Sequence, residues 1–105
     1  MGKAMAVKAV IIGRGVSCCR TIRGRVVSVY HFVKFKIGED LFRLNIGAEK
    51  YTGKIVAECW RGSETIGEFL YHGQTLKSAE KITIQRIETM VEDERKAADQ
   101  GIAAK

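Results

Sequence analysis

The chain contains no proline at all, and it contains no acidic residue before Glu39. Without proline, and with no low-complexity stretch or internal repeat, nothing marks a linker or a solenoid, so residues 1–105 read as a single domain. Cysteine is scarce and odd in number, at Cys18, Cys19 and Cys59, which excludes an even disulfide framework and fits reduced thiols. No run approaches the roughly 18 uninterrupted apolar residues that a bilayer-crossing helix requires. Lys8 interrupts the apolar start, no small-residue cleavage site follows it, and Ala6 stands where a myristoylation pattern needs Ser or Thr. These absences predict a cytoplasmic protein with no membrane partner.

Apolar residues make up 46% of the sequence and charged residues 29%, enough to build one buried core at this length. The net charge of +6 is unevenly placed. Residues 1–53 carry ten Lys and Arg against three acids, a net +7, whereas residues 54–105 carry eight against nine, a net −1. A basic half of this kind favours an anionic partner and has no bearing on the fold.

Glycines punctuate short segments rich in Val, Ile, Phe and Tyr, the rhythm of an antiparallel β-meander. Strands are predicted at Met5–Ile12 and Arg25–Phe32, with Val16–Ile22 either a further strand or a basic loop. A hairpin follows from the alternation of Val33–Ile37 and Phe42–Ile46. With Glu39-Asp40 at its tip, Ile37 faces Phe42, Phe35 faces Leu44 and Val33 faces Ile46. The opposite face then carries Lys34, Lys36, Arg43 and Asn45, with Lys36 set against Arg43. A second hairpin, Lys54–Trp60 with Thr65–Tyr71, turns at Gly62-Ser63 and sets Arg61 opposite Glu64 and Cys59 opposite Ile66. From Leu76 the period changes to three and four through Ala79, Thr83, Ile87, Met90 and Val91, with Thr75 as N-cap and Gly101 as stop. The expected fold is α+β, an antiparallel β-meander of five or six strands (roughly 5–71) packed against one C-terminal α-helix (roughly 76–99), ending in a short tail.

Motifs for chemistry are sparse. The run Ala9-Val10-Ile11-Ile12-Gly13-Arg14-Gly15 opens like a dinucleotide-binding turn, but the third glycine position is Cys18, so a tight turn between strands is the reading and no cofactor is expected. Cys18, Cys19, Cys59, His31 and His72 are metal-capable types without a C-x-x-C pair, and no metal site is predicted. There is no G-x-S-x-G, H-E-x-x-H or Walker loop, and the nearest approach to paired catalytic carboxylates is Glu58 with Glu68. The expectation is a protein that is not an enzyme.

The basic residues carry more. Arg14, Arg20, Arg23 and Arg25 fall within twelve residues, and the guanidinium fork suits bidentate phosphate contact. Together with Lys34, Lys36 and Arg43 on one hairpin face, and with Tyr30 leading into it, they form a charged sheet interleaved with rings. Such a surface holds nucleic acid, single-stranded DNA or RNA above all, by neutralising phosphates and stacking bases. The competing reading is a protein-interaction module, or an inhibitor or accessory protein of a nucleic-acid-processing machine, anchored on Trp60, Phe69 and Tyr71, that binds a protein with an acidic surface or a second copy of itself. Over the second half of the chain, the order hairpin, Gly-Gln-Thr-Leu and helix resembles the layout of double-stranded-RNA-binding domains and of some antitoxins. No residue roles follow from that layout.

Overall fold

A computed structural model describes the backbone of residues 7–22 and 25–104, and the side chains of residues 7–16, 26–27 and 30–98. Five strands, β1 (Val10–Ile22), β2 (Arg25–Ile37), β3 (Asp40–Glu49), β4 (Ile55–Arg61) and β5 (Glu64–Tyr71), are followed by one helix, α1 (Leu76–Ala104). The strands pair in sequence order, each antiparallel to the next, so the fold is an α+β meander with the helix laid on one face.

The β2–β3 hairpin forms because Val33, Phe35 and Ile37 alternate with Lys34 and Lys36, as Phe42, Leu44 and Ile46 alternate with Arg43 and Asn45. Its register differs by two residues from the expected one. Gly38, with φ 62°, takes the left-handed conformation that a two-residue turn demands, so Gly38-Glu39 is the tip and Ile37 pairs with Asp40. Phe35 therefore faces Phe42, their rings stacked 5.2 Å apart, Val33 faces Leu44, and Lys34 rather than Lys36 faces Arg43. A shift of two preserves the faces, so the apolar set remains the core.

The long first hairpin departs further from expectation. Val10–Ile22 is one strand, and Gly13-Arg14-Gly15 lies inside it instead of forming a turn. A bulge at Ile12 separates the pairs Ile11 to Phe35 and Gly13 to Lys34. Gly15 pairs with Phe32, and a Cβ at that position would collide with the Phe32 ring, which is why this interior position is glycine.

The second hairpin turns at Gly62-Ser63 and pairs Arg61 with Glu64 as expected, but a bulge then inserts Ile66. Cys59 consequently faces Gly67, Glu58 faces Glu68, Ala57 faces Phe69 and Ile55 faces Tyr71. That one extra residue rotates Phe69 and Tyr71 onto the helix side, with Cys59 and Ala57, while Trp60 stays on the other face.

The helix closes the core by seating Ala79, Thr83, Ile87 and Val91 on Val33, Phe35, Leu44, Ile46, Ala57, Cys59 and Tyr71. Thr75 caps it, its Oγ1 accepting from the Ser78 amide at 3.0 Å. Thr83 Oγ1 donates to the Ala79 carbonyl at 2.7 Å, which uses its single proton, so the 2.6 Å contact with the Tyr71 hydroxyl is donated by Tyr71. The helix does not stop at Gly101 but continues to Ala104, and residues 92–98 are exposed all round. Arg61 ties this distal part down by donating to Asp40 at 2.5 Å and to Glu94 at 2.8 Å. Those two carboxylates raise the Arg61 pKa further above its usual value.

β1 also touches β3 and β4. A strand three places away lies about 14 Å off in a flat sheet, so this sheet is strongly curled. The curl accounts for a second buried cluster, Val27, Tyr30 and Val56 with Phe32 against it, on the face away from the helix. Among the described residues no helix is long and apolar enough to cross a membrane.

Candidate nucleic-acid interface

The face opposite the helix is built from the alternate residues that the core does not use. Reading across the strands, one row runs Gly13, Lys34, Arg43, Trp60 and Thr65, and the next runs Gly15, Phe32, Asn45, Glu58 and Glu68. Lys36 and Leu41 pair at the hairpin end of the same face. Two cations and an indole thus stand on three neighbouring strands about 4.8 Å apart.

Arg43 is the fixed member of this group. Its Nε donates to Asn45 Oδ1 at 2.9 Å, one terminal nitrogen lies 3.5 Å from the Tyr30 hydroxyl, and the guanidinium carbon sits 4.8 Å from the centroid of the Phe32 ring. Two neutral acceptors and a ring hold the fork without neutralising it. Lys34 and Lys36 are exposed beside it. Among the described residues, none of Lys34, Lys36 and Arg43 has an ion-pair partner, whereas Arg14 is paired with Glu80 at 2.7 Å and Arg61 with Asp40 and Glu94. The paired arginines therefore serve the packing of sheet on helix, while Lys34, Lys36 and Arg43 stand on the far side, on a face that also carries Glu58 and Glu68 in the neighbouring row. Lys34 opposite Arg43 is a like-charge cross-strand pair, which costs a few tenths of a kcal/mol until an anion bridges it.

The predicted site residues divide accordingly. Lys34, Lys36, Arg43 and Tyr30 lie together, although Tyr30 is buried and presents its hydroxyl to Arg43 rather than its ring to a base. Arg14 is on the helix side, beside a cavity of ≈ 290 Å³ that it lines with His31, Leu76 and Glu80. Arg20 and Arg25 lie in the backbone of β1 and β2, their side chains outside the described residues, and Arg23 lies outside them altogether. Trp60, Phe69 and Tyr71 do not converge. Tyr71 is buried under the helix, Phe69 packs on the same core beneath the Arg86 guanidinium, and Trp60 stands alone of the three on the basic face.

Two contributors escaped the sequence reading, Leu41 and the position of Trp60 beside Arg43. Leu41 follows an acidic turn and gives no pattern signal. Trp60 comes beside Arg43 only through the pairing of β3 with β4, which alternation within single strands does not reveal.

No family model, curated protein or solved structure matches this chain. Glu58 and Glu68 stand directly opposite one another, and each is already engaged in further interactions. Cys59 is fully buried, and burial pushes its thiol up to about 12, so it stays protonated and packs as a small apolar side chain. His31 and His72 are not brought together with it: among the described residues no group of three metal-capable side chains forms.

Proposed function

We propose that this is a non-enzymatic nucleic-acid-binding protein that holds a single strand of DNA or RNA on the sheet face opposite its helix. The observation that carries this reading is the set Lys34, Lys36 and Arg43, three cations on one face with no ion-pair partner among the described residues, set among Phe32 and Trp60. Phosphates supply an anionic partner for these three cations, and the partly exposed Trp60 ring beside Arg43 offers sequence-tolerant stacking.

The test is a salt titration of binding to a fluorescent single-stranded oligonucleotide. Affinity is expected to fall steeply with salt, and the triple change Lys34→Gln, Lys36→Gln, Arg43→Gln to flatten the log-log slope by about 2, at roughly 0.7 per lost single-strand phosphate contact. Arg14→Gln, which removes a cation already paired with Glu80, is expected to alter the slope much less. Absence of binding at low salt would overturn the reading.

A second reading has one specific observation in its favour. β1 is a 13-residue edge strand with Val10, Ile12 and Val16 exposed, a surface suited to strand addition by a protein partner or a second copy.

A further inference from the structure

At the hairpin end of the basic face, a cavity of ≈ 180 Å³ opens between β3 and the tip of the β4–β5 hairpin, lined by Lys34, Leu41, Phe42, Arg43 and Gly62. Its walls differ in kind. Lys34 and Arg43 form the unrelieved like-charge pair on one side, while Leu41, about half exposed, offers an apolar surface with no packing duty to the core. Gly62 adds no side chain, and its amide is occupied by the Leu41 carbonyl at 2.9 Å, which holds the turn against β3. The cavity is smaller than the ~300 Å³ at which sites for drug-sized ligands begin, so it suits one ring system with one anionic group.

We propose that this cavity is a mononucleotide subsite, in which one phosphate bridges Lys34 and Arg43 and the attached base lies against Leu41. The assignment rests on the nucleic-acid reading and sharpens it, since it gives the strand one anchored nucleotide in place of a uniform electrostatic grip. Charge alone would accept any phosphate. Leu41 makes the site prefer a phosphate that carries a ring.

The experiment compares adenosine 5′-monophosphate, adenosine and inorganic phosphate by calorimetry and by amide chemical shifts of the folded protein. The nucleotide is expected to bind one to one, shifting the Leu41, Arg43 and Gly62 amides, and to bind at least about tenfold tighter than either fragment. Leu41→Ala, at an exposed position, is expected to weaken nucleotide binding about three- to tenfold through lost apolar contact. Lys34→Gln should remove the advantage over adenosine. Salt-dependent oligonucleotide binding with no nucleotide binding, or phosphate binding as tightly as the nucleotide, would sink the subsite and leave the broader interface standing. Failure of strand and nucleotide alike would remove both.

Discussion

Arg43 and Cys59 belong to adjacent strands, and their side chains lie on opposite faces of the sheet. Arg43 is partly exposed, held by Asn45, Tyr30 and Phe32 with its charge intact, which is the arrangement expected of a group preorganised for an anion. Cys59 is the reverse case, a titratable group whose charge the fold suppresses. Because its folded pKa of about 12 lies above the 9.0 of an exposed thiol, the unfolded chain loses this proton first as pH rises. Stability is therefore unaffected by this group below pH 9 and declines across the interval from 9.0 towards 12. In a chain with Cys18 and Cys19 replaced by Ser, Cys59 is expected to resist a thiol reagent at pH 8 until denaturant unfolds the protein. Prompt labelling under native conditions would contradict its burial. Comparing alkaline unfolding of that chain with one also carrying Cys59→Ala isolates the pH dependence, and the Ala chain should lose less stability over the same interval.

Between elements, the polar link of β5 to α1 runs through a chain of hydroxyls, Tyr71 to Thr83 to the Ala79 carbonyl, beside the apolar packing of Phe69 and Tyr71. Thr83→Val keeps the shape but leaves the buried Tyr71 hydroxyl without its acceptor, an expected cost of about 1–3 kcal/mol. Tyr71→Phe leaves Thr83 still bonded to Ala79, so it should cost less, and the double change should be no worse than Thr83→Val alone. Thermal melts of the three variants check the order.

The same strands show what could be read from the residues. Alternation in β2 and β3 identified the basic face, and it survived a register error of two because side-chain direction repeats every two residues. Which lysine meets Arg43 did not survive, since that depends on Gly38 entering the turn at positive φ. Phe69 and Tyr71 were placed with Trp60 because the bulge at Ile66 leaves no trace in the hydrophobic pattern, yet it reverses the face of every residue beyond it. Gly13 and Gly15 read as punctuation, although Gly15 is required by the Phe32 ring on the neighbouring strand, a cause that lies far away in the chain.

At the scale of the molecule, Arg14 and Arg61 join sheet to helix through their carboxylate partners, whereas Lys34, Lys36 and Arg43 stand on the face away from it. The edge of β1 is a second open surface, with Val10 and Val16 more than three-fifths exposed and no proline to block pairing. If that edge recruits a second copy, light scattering should show a concentration-dependent dimer that Val16→Lys abolishes. A monomer at every concentration would remove self-pairing as the role of this edge. The order of the elements has one more consequence. Every strand pairs with its immediate predecessor, so the sheet can assemble progressively as the polypeptide emerges during translation. Its apolar side, with Phe35, Leu44 and Ile46, nevertheless has no cover until the segment beginning at Leu76 is made. A nascent chain halted at Tyr71 presents a completed but uncovered sheet, the kind of surface that chaperones retain, and release from them would await the helix.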